Sequence, residues 1–156
     1  MSRSVLVVDD SLTVRADLME AFAAEGLHSI GCASLCEARE VLRTQTVGVV
    51  VLDLLLPDGD GIDLLAEIRA KPDGARTPVL MLSSEAEVHD RIRGLELGSS
   101  DYVGKPYDRS HVVARVRELL GARSAGAMSS KIRVLVIDDS LTFREEAARN
   151  LREQGY

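Results

Sequence analysis

Short apolar runs alternate with amphipathic segments along the first 121 residues of the chain. The runs predict five strands, at residues 5–8, 29–32, 47–52, 78–82 and 101–104. The segments between them repeat apolar residues at helical spacing, as Val14, Leu18 and Phe22 do in the first of them. Because single helices alternate with strands, we predict an α/β fold with right-handed crossovers and a parallel sheet covered on both faces.

The composition of the runs predicts the order of the strands. Residues 5–8, 47–52 and 78–82 are continuously apolar, as central parallel strands are. Residues 29–32 and 101–104 are shorter and mixed, which favours the two edges. We therefore predict a doubly wound sheet with strand order 2-1-3-4-5, whose binding site lies at the carboxyl ends of the central strands.

Several predicted helices have recognisable ends. Ser11 opens the first helix, and Ser34 with Glu37 forms a capping box at the second. Gly98 and Gly121 are placed to end the fourth and fifth helices.

The beginning of the pattern occurs twice. Residues 4–26 align with residues 133–155 at an offset of 129, and ten of the 23 aligned pairs are identical. The identical pairs include the acids Asp9 and Asp10 and the basic residue Arg15. An offset of this size corresponds to a whole domain.

The repeat predicts the domain organisation. Residues 1–121 form one complete domain, residues 122–130 form a linker of small and polar residues, and residues 131–156 form the first strand and helix of a second, truncated copy. The short copy is too small to bury a core of its own, so we expect it to be disordered, to pack on the first domain or to exchange between chains as a homodimer. We expect a longer parent protein with two such domains in tandem.

Composition and charge narrow the possible functions. With 46% hydrophobic and 28% charged residues, the chain has an ordinary globular composition. Its net charge of -6 argues against direct binding of nucleic acid. No apolar run approaches the roughly 20 residues of a membrane span, no signal peptide is evident, and there are two cysteines, so we expect a cytoplasmic protein without membrane contact.

Polar side chains follow the predicted strands at their carboxyl ends, where parallel strands meet. They are Asp9, Asp10, Asp53, Ser83, Ser84 and Lys105, the last followed by Pro106. Two carboxylates about 4 Å apart repel by about 4 kcal/mol at an effective dielectric of about 20, so three in one cleft call for a cation or for one protonated carboxyl group. Oxygen ligands favour Mg²⁺, and a carboxylate beside such an ion can be the nucleophile that forms an aspartyl phosphate.

With these residues, the chain resembles the receiver domains of two-component response regulators, the chemotaxis-type phosphoacceptor fold, over residues 3–121. The resemblance rests on the acid pair, the segment from Asp53 to Gly61, Ser83, Tyr102 and Lys105-Pro106. It implies a flavodoxin-like (βα)5 fold that receives a phosphoryl group from a histidine kinase or phosphotransfer protein. The chain would then be a phosphoacceptor of bacterial signalling rather than a conventional enzyme.

The resemblance also implies a role for each site residue. Asp53 would be the phosphoacceptor, Asp10 a direct Mg²⁺ ligand, Asp9 a ligand acting largely through water, and the Leu55 carbonyl a further ligand. Lys105 would bind a phosphate oxygen, aimed by a cis peptide bond before Pro106. Ser83, with Ser84 as a second hydroxyl, would reach the phosphoryl group, and Tyr102 would turn inward as the switch. The surface of the fourth helix, fifth strand and fifth helix would change and could mediate a homodimer.

Two positions depart from the common pattern of the family. Ser83 stands where threonine is usual, which keeps the hydroxyl and loses a methyl group. Leu55 is apolar where a polar side chain could orient an attacking water molecule. We therefore predict slow loss of the phosphoryl group by self-dephosphorylation.

Other interpretations of single motifs are weaker. His28, Cys32 and Cys36 suggest zinc, but they straddle a strand and a helix without a fourth ligand. Asp58, Asp60 and Asp63 resemble a calcium loop, but Ile62 and Arg69 occupy positions where ligands are needed, so a surface turn is favoured. His89 and His111 are interpreted as residues of solvated helix faces rather than phosphodonors.

Two rival functions stay open. An aspartate-nucleophile phosphohydrolase of the haloacid dehalogenase type would carry a second acid two residues after its nucleophile, whereas Ser11 stands two after Asp9. A pseudo-receiver, a binding module that is never phosphorylated, would usually have lost an acid or the lysine. The output of the parent protein is expected beyond Tyr156, and tandem receivers suggest a hybrid histidine kinase or a cyclic-dinucleotide synthase.

Overall fold

The structure, a computed structural model, describes residues 4–84 and 96–124. In chain order the elements are β1 (Ser4–Val8), α1 (Leu12–Ala24), β2 (Ser29–Cys32), α2 (Leu35–Thr44), β3 (Val47–Asp53), β4 (Leu55–Leu56), β5 (Gly59–Asp60), α3 (Gly61–Ala70), a 3-10 turn (Gly74–Arg76), β6 (Val79–Ser84), β7 (Asp101–Lys105) and α4 (Arg109–Ser124). Most of the predicted fourth helix lies outside the described residues. So do the predicted second copy and residues 125–130 of the predicted linker.

Five parallel strands form the central sheet in the order β2-β1-β3-β6-β7. The predicted order is confirmed, since β6 and β7 are the fourth and fifth strands of the sequence prediction. The register brings strand ends level, with Val8 opposite Leu52 and Asp53 opposite Leu82. The residues that follow β1 therefore lie beside the end of β3.

A two-stranded antiparallel hairpin, β4-β5, follows β3 directly. The sequence predicts only a turn here, so the prediction misses the two short strands of the hairpin. Each strand of the hairpin is two residues long, so neither has enough residues for an alternating pattern to be recognised. The hairpin connects the end of β3 to the start of α3.

The sheet separates two hydrophobic layers, because successive residues of a strand point to opposite faces. On one face, Leu6, Val50, Leu52 and Met81 pack with buried residues of α2 and α3. On the other face, Val7, Val51, Leu80 and Leu82 pack with Leu18 and Phe22 of α1 and with Val112 and Val116 of α4. All seven residues of β3 are buried, so the strand that carries Asp53 is the centre of both layers.

The last described helix is longer than predicted. We expect α4 to end at Gly121, but it continues to Ser124, into the stretch predicted as linker. Gly98 adopts the left-handed backbone (φ 86°) that ends helices, whereas Gly121 is not among the glycines with positive φ. Without that conformation a glycine only weakens a helix, and Ala122 can continue it. Among the described residues, no helix combines the length and apolar character needed to cross a membrane.

Candidate functional site

Three carboxylates meet at the carboxyl ends of β1 and β3. Asp9 and Asp53 are buried, with 1% and 7% of their surface exposed, whereas Asp10 is exposed. One carboxylate oxygen from each of the three lies within 4.8 Å of the other two. The structure thus brings together the three acids that the sequence places at neighbouring strand ends.

Lys105 connects the two buried acids. Its Nζ lies 3.2 Å from Oδ2 of Asp9 and 3.2 Å from Oδ2 of Asp53. The lysine ends β7, and the peptide bond to Pro106 is cis, as the family pattern implies. The ammonium group therefore neutralises part of the negative charge of the cluster.

Backbone amides hold the second oxygen of each buried acid. Oδ1 of Asp9 accepts a hydrogen bond from the N–H of Ser11 at 2.8 Å, and Oδ1 of Asp53 accepts one from the N–H of Leu54 at 2.9 Å. Buried carboxylates need such donors because they have lost water. Both side chains are therefore fixed by at least two contacts.

Burial and neighbouring charge shift the pKa values of the site in opposing ways. Burial raises the pKa of Asp53, and the Asp9 carboxylate adds to this, while Lys105 opposes it. Burial lowers the pKa of Lys105, but the carboxylates of Asp53 and Asp9 outweigh it, so the pKa is raised overall. The lysine is therefore held in its charged form between the acids.

The segment after Asp53 packs tightly against it. A Cβ atom on Gly61 would lie 2.3 Å from the carbonyl oxygen of Asp53, so only glycine fits there. The N–H of Gly61 donates to the carbonyl of Leu54 at 2.7 Å. In the hairpin between them, the side chain of Leu55 is exposed.

Two of the three acids suggested as a calcium loop act as helix caps. Asp58 accepts hydrogen bonds from the N–H groups of Leu35 and Cys36, both at 2.9 Å, at the start of α2. Asp60 accepts one from the N–H of Ile62 at the start of α3. The surface turn favoured from sequence is therefore a hairpin whose acids cap two helices.

Side chains from two parts of the chain cap the N-terminus of the second helix. In addition to the bonds from Asp58, Oγ of Ser34 accepts from the N–H of Glu37 at 3.2 Å, as the predicted capping box requires. The Glu37 carboxylate accepts from the N–H of Ala33 at 2.7 Å rather than from that of Ser34. The free N–H groups of the first turn thus donate to one side chain nearby in sequence, Ser34, and to one distant side chain, Asp58.

Sequence reasoning gave no role to Arg15, which binds the backbone of the acid pair. Its Nη1 donates to the carbonyl oxygens of Asp9 at 2.6 Å and Asp10 at 3.0 Å. The signal that could have identified it is the repeat, because Arg144 follows the second acid pair at the same spacing.

The remaining predicted site residues lie on β6 and β7. The backbones of Ser83 and Ser84 pair with Gly104 and Lys105 at the strand ends, but their side chains lie outside what the structure describes. Tyr102 is half-buried, and its hydroxyl would lie 3.0 Å from a Cβ atom on Gly104. The tyrosine thus extends along β7 towards the site, over a residue without a side chain.

The donor chemistry of the cluster fits a hard divalent cation. Asp9, Asp10 and Asp53 offer only oxygen ligands, which Mg²⁺ prefers. Within residues 4–84 and 96–124 this is the one group of three acid, histidine or cysteine side chains close enough to hold an ion. The suggested zinc residues are not such a group, and His28 instead shares a hydrogen bond with Ser4.

Comparisons with known proteins agree with this geometry. The family model described as response regulator receiver domain matches residues 5–117. The transcriptional regulatory protein GltR of Pseudomonas aeruginosa is 35% identical over 119 residues, which cover 76% of this chain and 49% of that protein. The probable transcriptional regulatory protein TcrX of Mycobacterium tuberculosis is 37% identical over 135 residues, covering 86% of this chain and 57% of TcrX.

Solved structures show the same architecture. The receiver domain of the Francisella response regulator 1452 superposes with a TM-score of 0.70 at 31% identity, over 77% of this chain and 98% of that one. A CheY-like receiver domain protein from Methanospirillum hungatei superposes with a TM-score of 0.75 at 20% identity, over 81% and 100%. The chain spans about half the length of GltR and TcrX.

Proposed function

Because the chain belongs to the family of response regulator receiver domains, we propose that it accepts a phosphoryl group on Asp53. Receiver domains of response regulators are phosphorylated by histidine kinases, so the proposed donor is a phosphohistidine on a kinase or a phosphotransfer protein. The observation that supports this proposal is the cluster at the end of β3, where Asp53 lies beside two acids and Lys105.

Asp53 provides the nucleophile of the proposed reaction. One carboxylate oxygen forms a bond to phosphorus while the bond from phosphorus to the donor imidazole breaks, and its electron pair returns to the nitrogen. Lys105 opposes the rise in the pKa of Asp53 that burial causes. The lysine therefore favours the ionised carboxylate that the attack requires.

Asp9, Asp10 and Asp53 would hold Mg²⁺, with the Leu55 carbonyl as a further proposed ligand. Receiver domains bind Mg²⁺ in an acidic pocket, and the donor set of this cluster is of that kind. When bound, the ion supplies positive charge to the oxygens of the phosphoryl group. Contacts with Ser11, Leu54 and Lys105 fix the carboxylates of Asp9 and Asp53.

Phosphorylation would act on the surface of the predicted fourth helix, β7 and α4. The transferred group adds negative charge at Asp53, and Lys105 would bind one of its oxygens while the Ser83 hydroxyl, or that of Ser84, binds another. Tyr102 would then turn inward. We propose that this rearrangement is the signal.

Intact-mass spectrometry tests the proposal. The full chain is incubated with Mg²⁺ and a small acyl phosphate, beside Asp53→Asn and the control Asp63→Asn, which alters an exposed acid of α3. We expect one added phosphoryl group on the wild type and the control and none on Asp53→Asn. Turnover of many phosphomonoesters would instead indicate the hydrolase, and absence of any reaction would indicate a pseudo-receiver.

We also propose a homodimer through the predicted fourth helix, β7 and α4, or through the predicted second copy. The basis for the first surface is the resemblance to the family; within one chain, Arg115 of α4 pairs there with Asp101 of β7 and with Glu118. Sedimentation velocity with and without acyl phosphate tests it. A monomer under both conditions would contradict the dimer.

The output of the whole protein is a separate proposal. The repeat of the acid pair is the basis for a tandem receiver, with a hybrid histidine kinase or a cyclic-dinucleotide synthase as output. The relatives GltR and TcrX are named as transcriptional regulators, which adds control of transcription by another part of the protein. Sequencing of the complete gene and assay of its product against these three outputs decides among them.

A further inference from the structure

The backbone of the acid pair is held from α1 by one side chain. Nη1 of Arg15 donates to the carbonyl oxygens of both Asp9 and Asp10. The two carbonyls belong to the short connection between β1 and α1. A hydrogen bond from a charged donor is stronger than one between neutral groups, so this contact restrains both peptide groups.

Asp10 depends on that restraint more than its neighbours do. The carboxylates of Asp9 and Asp53 are fixed by backbone amides and by Lys105. The Asp10 carboxylate is exposed, and no hydrogen bond or ion pair fixes it within the described ranges 4–84 and 96–124. The direction of its side chain is therefore set by its own backbone, which Arg15 holds.

One further feature supports a dedicated role for Arg15. The second acid pair of the sequence is followed by Arg144 at the same spacing. The sequence thus repeats the arginine together with the acids.

We infer that Arg15 is a positioning residue that orients Asp10 for the binding of Mg²⁺, an inference that rests on the proposed function. Two effects oppose each other here. A nearby cation repels a metal ion, whereas a fixed ligand binds it more tightly. Because the guanidinium donates to the backbone carbonyls of Asp9 and Asp10, we expect its fixing of the ligand to affect Mg²⁺ affinity more than its repulsion of the ion does.

Titration of the full chain with Mg²⁺ by calorimetry tests this inference. Arg15→Met keeps an unbranched apolar side chain and removes the guanidinium, Arg15→Lys restores a cationic donor, and Arg43→Met is the control at an exposed arginine of α2. We expect Arg15→Met to weaken Mg²⁺ binding about tenfold, the typical effect of losing a group that orients a metal ligand. Arg15→Lys should recover most of the loss, and Arg43→Met should bind as the wild type does.

A second readout separates positioning from a general structural role. In phosphorylation by acyl phosphate, Arg15→Met should need more Mg²⁺ for half-maximal rate and reach the wild-type rate at saturation. If Arg15→Met does not fold, Arg15→Gln takes its place, because it keeps a polar side chain and removes the charged donor; a folded variant with weaker binding supports the inference. Unchanged or tighter Mg²⁺ binding in the folded variant overturns it. Absence of binding by the wild type would contradict the proposed function itself.

Discussion

Gly61 touches the backbone of Asp53 so closely that a Cβ atom would lie 2.3 Å from its carbonyl oxygen. The N–H of Gly61 also donates to the carbonyl of the next residue, Leu54, at 2.7 Å. The start of α3 thus fixes the end of β3 from the far side of the hairpin. Placement of the proposed acceptor depends on this contact.

Gly61→Ala should therefore lower the free energy of unfolding, by about 1–3 kcal/mol, as overpacking does. The control is Gly121→Ala, where the added Cβ has no other part of the described residues within 4 Å beyond its own helix backbone. Gly121 lies in the last turn of α4, so this change should leave the stability of the domain equal or slightly higher. Urea denaturation measures both, and equal stability of Gly61→Ala and wild type would show that the contact relaxes at no cost.

Asp53→Asn should make the protein more stable at neutral pH when Mg²⁺ is removed by a chelator. Burial raises the pKa of Asp53 above its ordinary value of 3.8, so the folded state binds its proton more tightly than the unfolded state does. The wild type therefore loses stability as pH rises from 3.8 through the raised pKa of Asp53, whereas the Asp53→Asn variant does not. Thermal unfolding of both proteins at steps of about one pH unit between about pH 3 and pH 8 checks this. Parallel curves of stability against pH for the wild type and Asp53→Asn would contradict it.

Asp58→Ala should show the opposite pH dependence. Hydrogen bonds from the backbone N–H groups of Leu35 and Cys36 lower the pKa of Asp58 below 3.8, so its stabilising effect is present above that value and is lost as pH falls through the lowered pKa. The variant should be less stable than wild type at neutral pH, and the difference should shrink in acid. Asp73→Ala is the control, because Asp73 precedes a 3-10 turn without a capping hydrogen bond from its side chain.

Leu55→Asn should shorten the lifetime of the phosphoryl group several-fold. Leu55 is 64% exposed two residues after Asp53, and it has no polar atom to orient an attacking water molecule. An amide at this position can donate to or accept from that water. The decay of the phosphorylated mass over time measures the lifetime, with Leu12→Asn as the control at another exposed leucine. If Leu55→Asn has the same phosphoryl half-life as the wild type, the apolar side chain of Leu55 does not slow dephosphorylation.

The strand order and the acid cluster could be predicted from sequence for one physical reason. Asp9, Asp53 and Lys105 each stand at the end of a strand, and parallel strands bring such ends together. Hydrophobic pattern alone therefore placed them in one cleft. The same reasoning placed β2 and β7 at the edges of the sheet.

Other features depend on contacts that a local pattern does not contain. Asp58 caps Leu35 and Cys36, which precede it by 23 and 22 positions in the chain. The local cap of α2, Ser34, gives no sign of this second, distant cap. The need for Gly61 arises only when α3 packs on β3. The end of α4 was misplaced because a glycine ends a helix only if it adopts a left-handed backbone, which Gly121 does not.

The hairpin after β3 has a consequence for protein engineering. Between Asp53 and Gly61 the chain supplies the proposed acceptor, a cap for α2, a cap for α3 and the glycine that lets α3 approach the strand. An aspartate grafted alone onto the end of a strand in another parallel sheet would lack all three supports. The unit to transplant is the whole segment, together with a recipient helix whose first turn can accept the carboxylate of Asp58.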